Sequence, residues 1–206
     1  MGMRERKKWD LLSGRSAAPL VLGALFLAGG VAGGLFSGLA DGAGARELSR
    51  YLVDYLTLAR QGTVSRSFWP VLWEQLRYYL AAAVLGLTAI GVVGLPVLFC
   101  VRGFLFTFSV GCFFRCFGAS GLVPALVLLG IPALLWAPGL FLAGSQGLSS
   151  AQGLLRRSLG EGRTGPLFPA AYWLRAGLCG ALFLACGALE YSIVPVLLQA
   201  AARVVL

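Results

Sequence analysis

The chain has 206 residues, of which 58% are hydrophobic and only 12% charged, where soluble domains carry roughly 25% charged residues. This is the composition of an integral membrane protein. With no His and no Asn in the sequence, His-based zinc sites, Ser/His/Asp triads and N-glycosylation sequons are excluded. The net charge of +9 comes from basic residues that flank apolar segments, the pattern of a positive-inside membrane protein, and no nucleic-acid partner is expected.

Residues 1–16 form a basic tail with Arg4, Arg6, Lys7, Lys8 and Arg15. An uncharged run from Ala17 to Ala40 follows, longer than a signal-peptide core and able to cross about 30 Å of hydrocarbon as a helix. Ala43-Gly44-Ala45 resembles a cleavage site, but the run is expected to stay, with the tail cytoplasmic and the first span running outward. Within it Gly30, Gly34 and Gly38 repeat every four residues, with Gly29 and Gly33 beside them. Such spacing lets a second helix approach the backbone, and a seam inside this chain is preferred to a dimer motif.

Residues 41–67 read as an extracytoplasmic amphipathic segment. In "RELSRYLVDYLTLAR" the residues Leu48, Tyr51, Leu52, Tyr55, Leu56 and Ala59 share one helical face, with charges elsewhere. That face either rests on the outer leaflet or docks an extracytoplasmic partner. Ser67 is a candidate cap for the second span, whose start carries Trp69, Trp73, Tyr78, Tyr79 and Arg77 as an interfacial belt.

In "GLPVLFCVRGFLFTFSVG" an arginine interrupts apolar sequence, at a cost that demands a reason. Pro96, Arg102 and Gly103 are read as a tight cytoplasmic turn between the second and third spans; the alternative places Arg102 deeper, in a cavity. The third span then runs from Phe104 to Phe117, "GASG" turns the chain outside, and a fourth, irregular through Pro124, Pro132 and Pro138, runs to about Ala143. Residues 144–169 are read as a cytoplasmic loop, and Ala170 to Leu198 as a fifth span that ends outside. The fold class expected is all-α: a single membrane domain over residues 1–206, with about five transmembrane helices and one amphipathic extracytoplasmic helix. On that scheme Arg115 and Glu190 reach similar depth and form a buried structural charge pair. The five cysteines lie inside apolar runs, at spacings unlike a metal or redox pair, and no cofactor is expected.

The order "GLP", then "RG", then "VG", the amphipathic segment after the first span, the proline-broken fourth span ending "FLAG", and "LEYSIVPVLL" in the last span resemble the stage II sporulation protein M family. The resemblance covers nearly the whole chain. It implies a mother-cell septal membrane protein of engulfment that collects the peptidoglycan-degrading stage II sporulation proteins D and P: a scaffold, not an enzyme. The apolar periodicity of the outer segment makes Leu48, Tyr51, Leu52, Tyr55 and Leu56 the expected partner surface. Broken helices and intramembrane charges also describe a small-solute transporter or channel-like protein, the main alternative. An intramembrane protease is remote, because the spans hold no paired acids and no His.

Overall fold

The computed structural model describes residues 3–39, 43–61, 67–160 and 170–205, with side chains from 17 to 39, 47 to 61, 67 to 160 and 170 to 201. Among these residues the fold is all helical. In chain order the elements are α1 (Met3–Leu39), α2 (Ala43–Arg60), α3 (Phe68–Gly86), α4 (Gly91–Phe117), a 3₁₀ turn (Gly118–Gly121), α5 (Leu122–Ala125), a π-helical turn (Leu126–Gly130), α6 (Ile131–Ser158) and α7 (Ala170–Val205). Three stretches are long and apolar enough to cross a membrane: Ala17–Leu39, Gly91–Ser158 and Ala170–Ala201. Their outer faces are bare hydrocarbon, with Leu35, Leu134 and Leu174 each well over half exposed. In water such a surface would aggregate; in lipid it is solvated.

The long stretch Gly91–Ser158 folds back on itself. Gly118 takes φ +63, a conformation that costs a residue with a Cβ but not glycine, and the chain reverses there. Phe99 then meets Phe141 at 5.0 Å between ring centroids and Phe106 meets Trp136 at 6.4 Å, so α4 and α6 run antiparallel. Beside them α1 runs parallel to α4, and α7 lies antiparallel to both α3 and α6 through Tyr79–Phe183 and the Gln146 to Tyr172 hydrogen bond. Five legs thus alternate, α1, α4 and α7 one way and α3 and α6 the other.

The α1–α4 seam is built on missing side chains. A methyl group at Gly29 would run into the carbonyl of Cys100, one at Gly33 into that of Phe104, and one at Gly103 into that of Phe26. With no hydrophobic force between helices in lipid, this backbone approach and its dispersion contacts hold the pair. Gly30 also packs tightly, against Thr107, but Gly34 makes ordinary contact with the same threonine and Gly38 meets nothing. The tight register is therefore Gly29, Gly30 and Gly33 rather than Gly30, Gly34 and Gly38.

Two readings of the connections are corrected. Pro96, Arg102 and Gly103 do not form a turn, since Gly91–Phe117 is one continuous helix of 27 residues. The reversal lies at residues 87–90, closed by hydrogen bonds such as Leu87 N–H to the Ala83 carbonyl at 3.2 Å and Gly91 N–H to the Thr88 carbonyl at 3.1 Å. Pro96 sits one turn inside α4, where its missing N–H frees a single carbonyl. Second, most of residues 144–169 is not a loop: α6 continues to Ser158, and Gly144, Gly147, Leu148 and Ala151 are buried. Glycine makes this possible, because Gly147 packs directly on Gly86 where α3 and α6 cross. Ser67 stands at the N-cap of α3 without a side-chain capping bond.

The amphipathic helix α2 packs onto the bundle. Leu52, Leu56 and Ala59 are buried with Phe113, Ala125 and Leu198, at the end where α1 and α4 finish. Leu52 and Leu56, expected on a partner surface, therefore belong to the core, because a helix beside an uncovered bundle end buries its apolar stripe there first. Tyr51 remains 65% exposed, and its ring stacks on that of the half-buried Tyr55 at 6.4 Å.

Candidate functional site

Midway along α4 the guanidinium of Arg102 lies over two aromatic rings, 4.1 Å from the centroid of Tyr78 on α3 and 4.3 Å from that of Trp136 on α6. A planar, weakly hydrated cation is suited to this position, and each desolvated ring contact contributes up to about 2 kcal/mol. The Arg102 Nε is buried without a hydrogen-bond partner among the described residues. Such an atom costs energy unless something supplies an acceptor. Arg102 also lines a cavity.

That cavity measures about 270 Å³. Its polar walls include Glu74, Gln75 and Arg77 on α3, Arg102 and Ser109 on α4, and Glu190 on α7, and its apolar walls include Phe106, Pro132 and Trp136. Gln75 is 6% exposed and donates its amide N–H to the Glu190 carboxylate. The π-helical turn Leu126–Gly130 contributes Leu128 and Leu129. Its cause is in the sequence: Pro132 has no N–H to return to the Leu128 carbonyl, so the helix widens just ahead of it. Among the described residues no cluster of His, Cys, Asp and Glu could hold a metal ion.

A second, more apolar cavity of about 230 Å³ adjoins the first, sharing Ser109, Leu128 and Leu129 as walls. Leu48, Tyr51, Leu52 and Tyr55 of α2 cover it from one side and Phe108 and Cys112 from the other. All four α2 residues had been expected on the partner surface; the structure turns part of that face inward over this space.

The expected pair Arg115–Glu190 is corrected as well. Arg115 donates to the carbonyls of Ser37 and Gly38, closing the C-terminal end of α1 where unpaired carbonyls and the helix dipole favour a cation. Glu190 instead lines the cavity of Arg102, a residue about 20 Å below Arg115 along α4. The depth reckoning failed because it started α4 at Arg102; starting at Gly91 raises Arg102 by about 17 Å. Gln75, Tyr78 and Trp136 were missed as site residues. Tyr78 had been assigned to an interfacial belt, and the only sign in the sequence was Trp136 itself, a lone indole between Pro132 and Pro138 far from any boundary.

Residues 22–195 match the family model of stage II sporulation protein M. The chain belongs to that family. The match takes in the whole α1–α4 seam from Leu22 onward, the Arg102 cavity and Glu190, and stops within α7. No curated protein and no solved structure matches the chain. Family membership with apolar, membrane-length helices describes a sporulation-related membrane protein.

Proposed function

We propose that this stage II sporulation protein M family member is a non-enzymatic membrane scaffold for engulfment, which recruits the peptidoglycan-degrading stage II sporulation proteins D and P to the mother-cell septal membrane. The family match over residues 22–195 carries this reading. The five alternating legs support five crossings, with α1, α4 and α7 running outward, the basic tail and the α6 end with Arg156 and Arg157 inside, and α2 at the outer surface. Thiol labelling from outside is expected to reach cysteines placed at position 43 and at the C-terminus, and not one at 160. Labelling at 160 contradicts the topology.

The partner surface on this reading is the part of α2 that the bundle leaves uncovered: exposed Leu48, Tyr51, Val53 and Leu58 with the charges of Glu47, Arg50 and Asp54. Tyr51→Lys is expected to lose recruitment of D and P to the septum with unchanged melting in detergent. Leu56→Ala is expected to lower stability by about 3 kcal/mol through the cavity it leaves. Recruitment that survives Tyr51→Lys removes this face from the mechanism.

The Arg102 cavity favours a second reading, a small-solute transporter or channel-like protein, since a charged cavity beside a broken helix at membrane depth is how substrate sites are built. That reading expects solute uptake into proteoliposomes, abolished by Arg102→Gln.

A further inference from the structure

Both signs of charge meet in the space around Arg102. Arg102, whose guanidinium lies over the Tyr78 and Trp136 rings, lines it together with the carboxylate residues Glu74 and Glu190. An anion alone would be repelled by those carboxylates, and a cation alone by Arg102 and by Arg77 at the rim. A molecule carrying separated opposite charges satisfies both, and at membrane depth the low dielectric strengthens each contact. Beyond the shared wall of Ser109, Leu128 and Leu129 lies the apolar space under α2, which suits an uncharged hydrocarbon group.

The geometry points to a binding site for a small zwitterion with an apolar side chain, of the α-amino acid type. Its carboxylate accepts from the Arg102 guanidinium, its ammonium donates to Glu74 or Glu190, and its side chain lies against Leu128 and Leu129. The volume of about 270 Å³ accommodates a molecule of that size and not a folded domain. No residue of α2 lines the charged cavity, so binding of the two charges is tested separately from partner recruitment.

The test is isothermal titration of the full chain in nanodiscs with three probes of one shape: L-leucine, L-leucinamide, which lacks the carboxylate, and 4-methylpentanoate, which lacks the ammonium. Leucine is expected to bind saturably and each half-charged analogue at least about tenfold more weakly, the value of one charged hydrogen bond. In Glu190→Gln the preference for leucine over 4-methylpentanoate should shrink, and in Arg102→Gln that over leucinamide. Equal heats for all three probes would show partition into lipid, and no saturable heat for leucine would show a cavity that holds water alone; either result overturns the site. The comparison among analogues is made on the unaltered protein, so it holds even if a variant fails to fold.

Discussion

Gly103→Val is expected to abolish accumulation of the folded protein in the membrane. The Cβ position at Gly103 lies against the Phe26 carbonyl and 3.2 Å from the Gly30 nitrogen, so the obstruction is backbone, which cannot rotate away. To admit an isopropyl group α1 must separate from α4, and with it go the Gly29–Cys100 and Gly33–Phe104 approaches and the Arg115 bonds to Ser37 and Gly38. Overpacking of this kind costs roughly 3 kcal/mol or more, a large share of a total stability of about 5–15 kcal/mol. Gly38→Ala, where nothing lies within 4 Å, is expected to be silent. Membrane-fraction yield and detergent melting of the two variants measure the contrast; equal loss in both would mean that the seam is not what the glycines serve.

Arg102→Met is expected to lower stability by about 3 kcal/mol, although it removes a charge from an apolar setting. The cation lies over the Tyr78 and Trp136 rings, and its replacement forfeits both contacts and removes one of the two cations that share the cavity with Glu74 and Glu190. Arg102→Lys keeps the charge and loses the planar stack, so it should recover less than half of the deficit. Melting of the three proteins in one detergent gives the measurement. A Met variant as stable as the parent would show that burial costs cancel the ring contacts, and Arg102 would then be retained for binding alone.

The helical class, the amphipathic segment, the reversal at "GASG" and the last long helix were legible because each is written in hydropathy or in glycine. The reversal at residues 87–90 was not. Its residues are Leu87, Thr88, Ala89 and Ile90, with Ile90 75% exposed, so by composition it continues the span. A turn that faces lipid headgroups or sits beside α6 needs no polar residues, and only the flanking Gly86 and Gly91 mark it. From that displaced turn followed the misplacement of Arg102, and from Arg102 the false pairing of Arg115 with Glu190. The deeper alternative weighed for Arg102, a cavity, is the one the fold contains. The face of α2 illustrates a different limit: periodicity showed that Leu52 and Leu56 would be covered, but a partner and the chain's own α4 and α7 read alike in one sequence. Gln75 was invisible because its role depends on Glu190, which lies on another helix and far along the chain.

Capture of the tagged, unaltered chain from sporulating cells during engulfment, followed by identification of what it retains, tests the scaffold claim most directly. The account predicts that stage II sporulation proteins D and P are recovered together with it from the septal membrane and are lost from the Tyr51→Lys capture. Recovery of the folded chain with neither protein, at a stage when both are present in the cell, would contradict it.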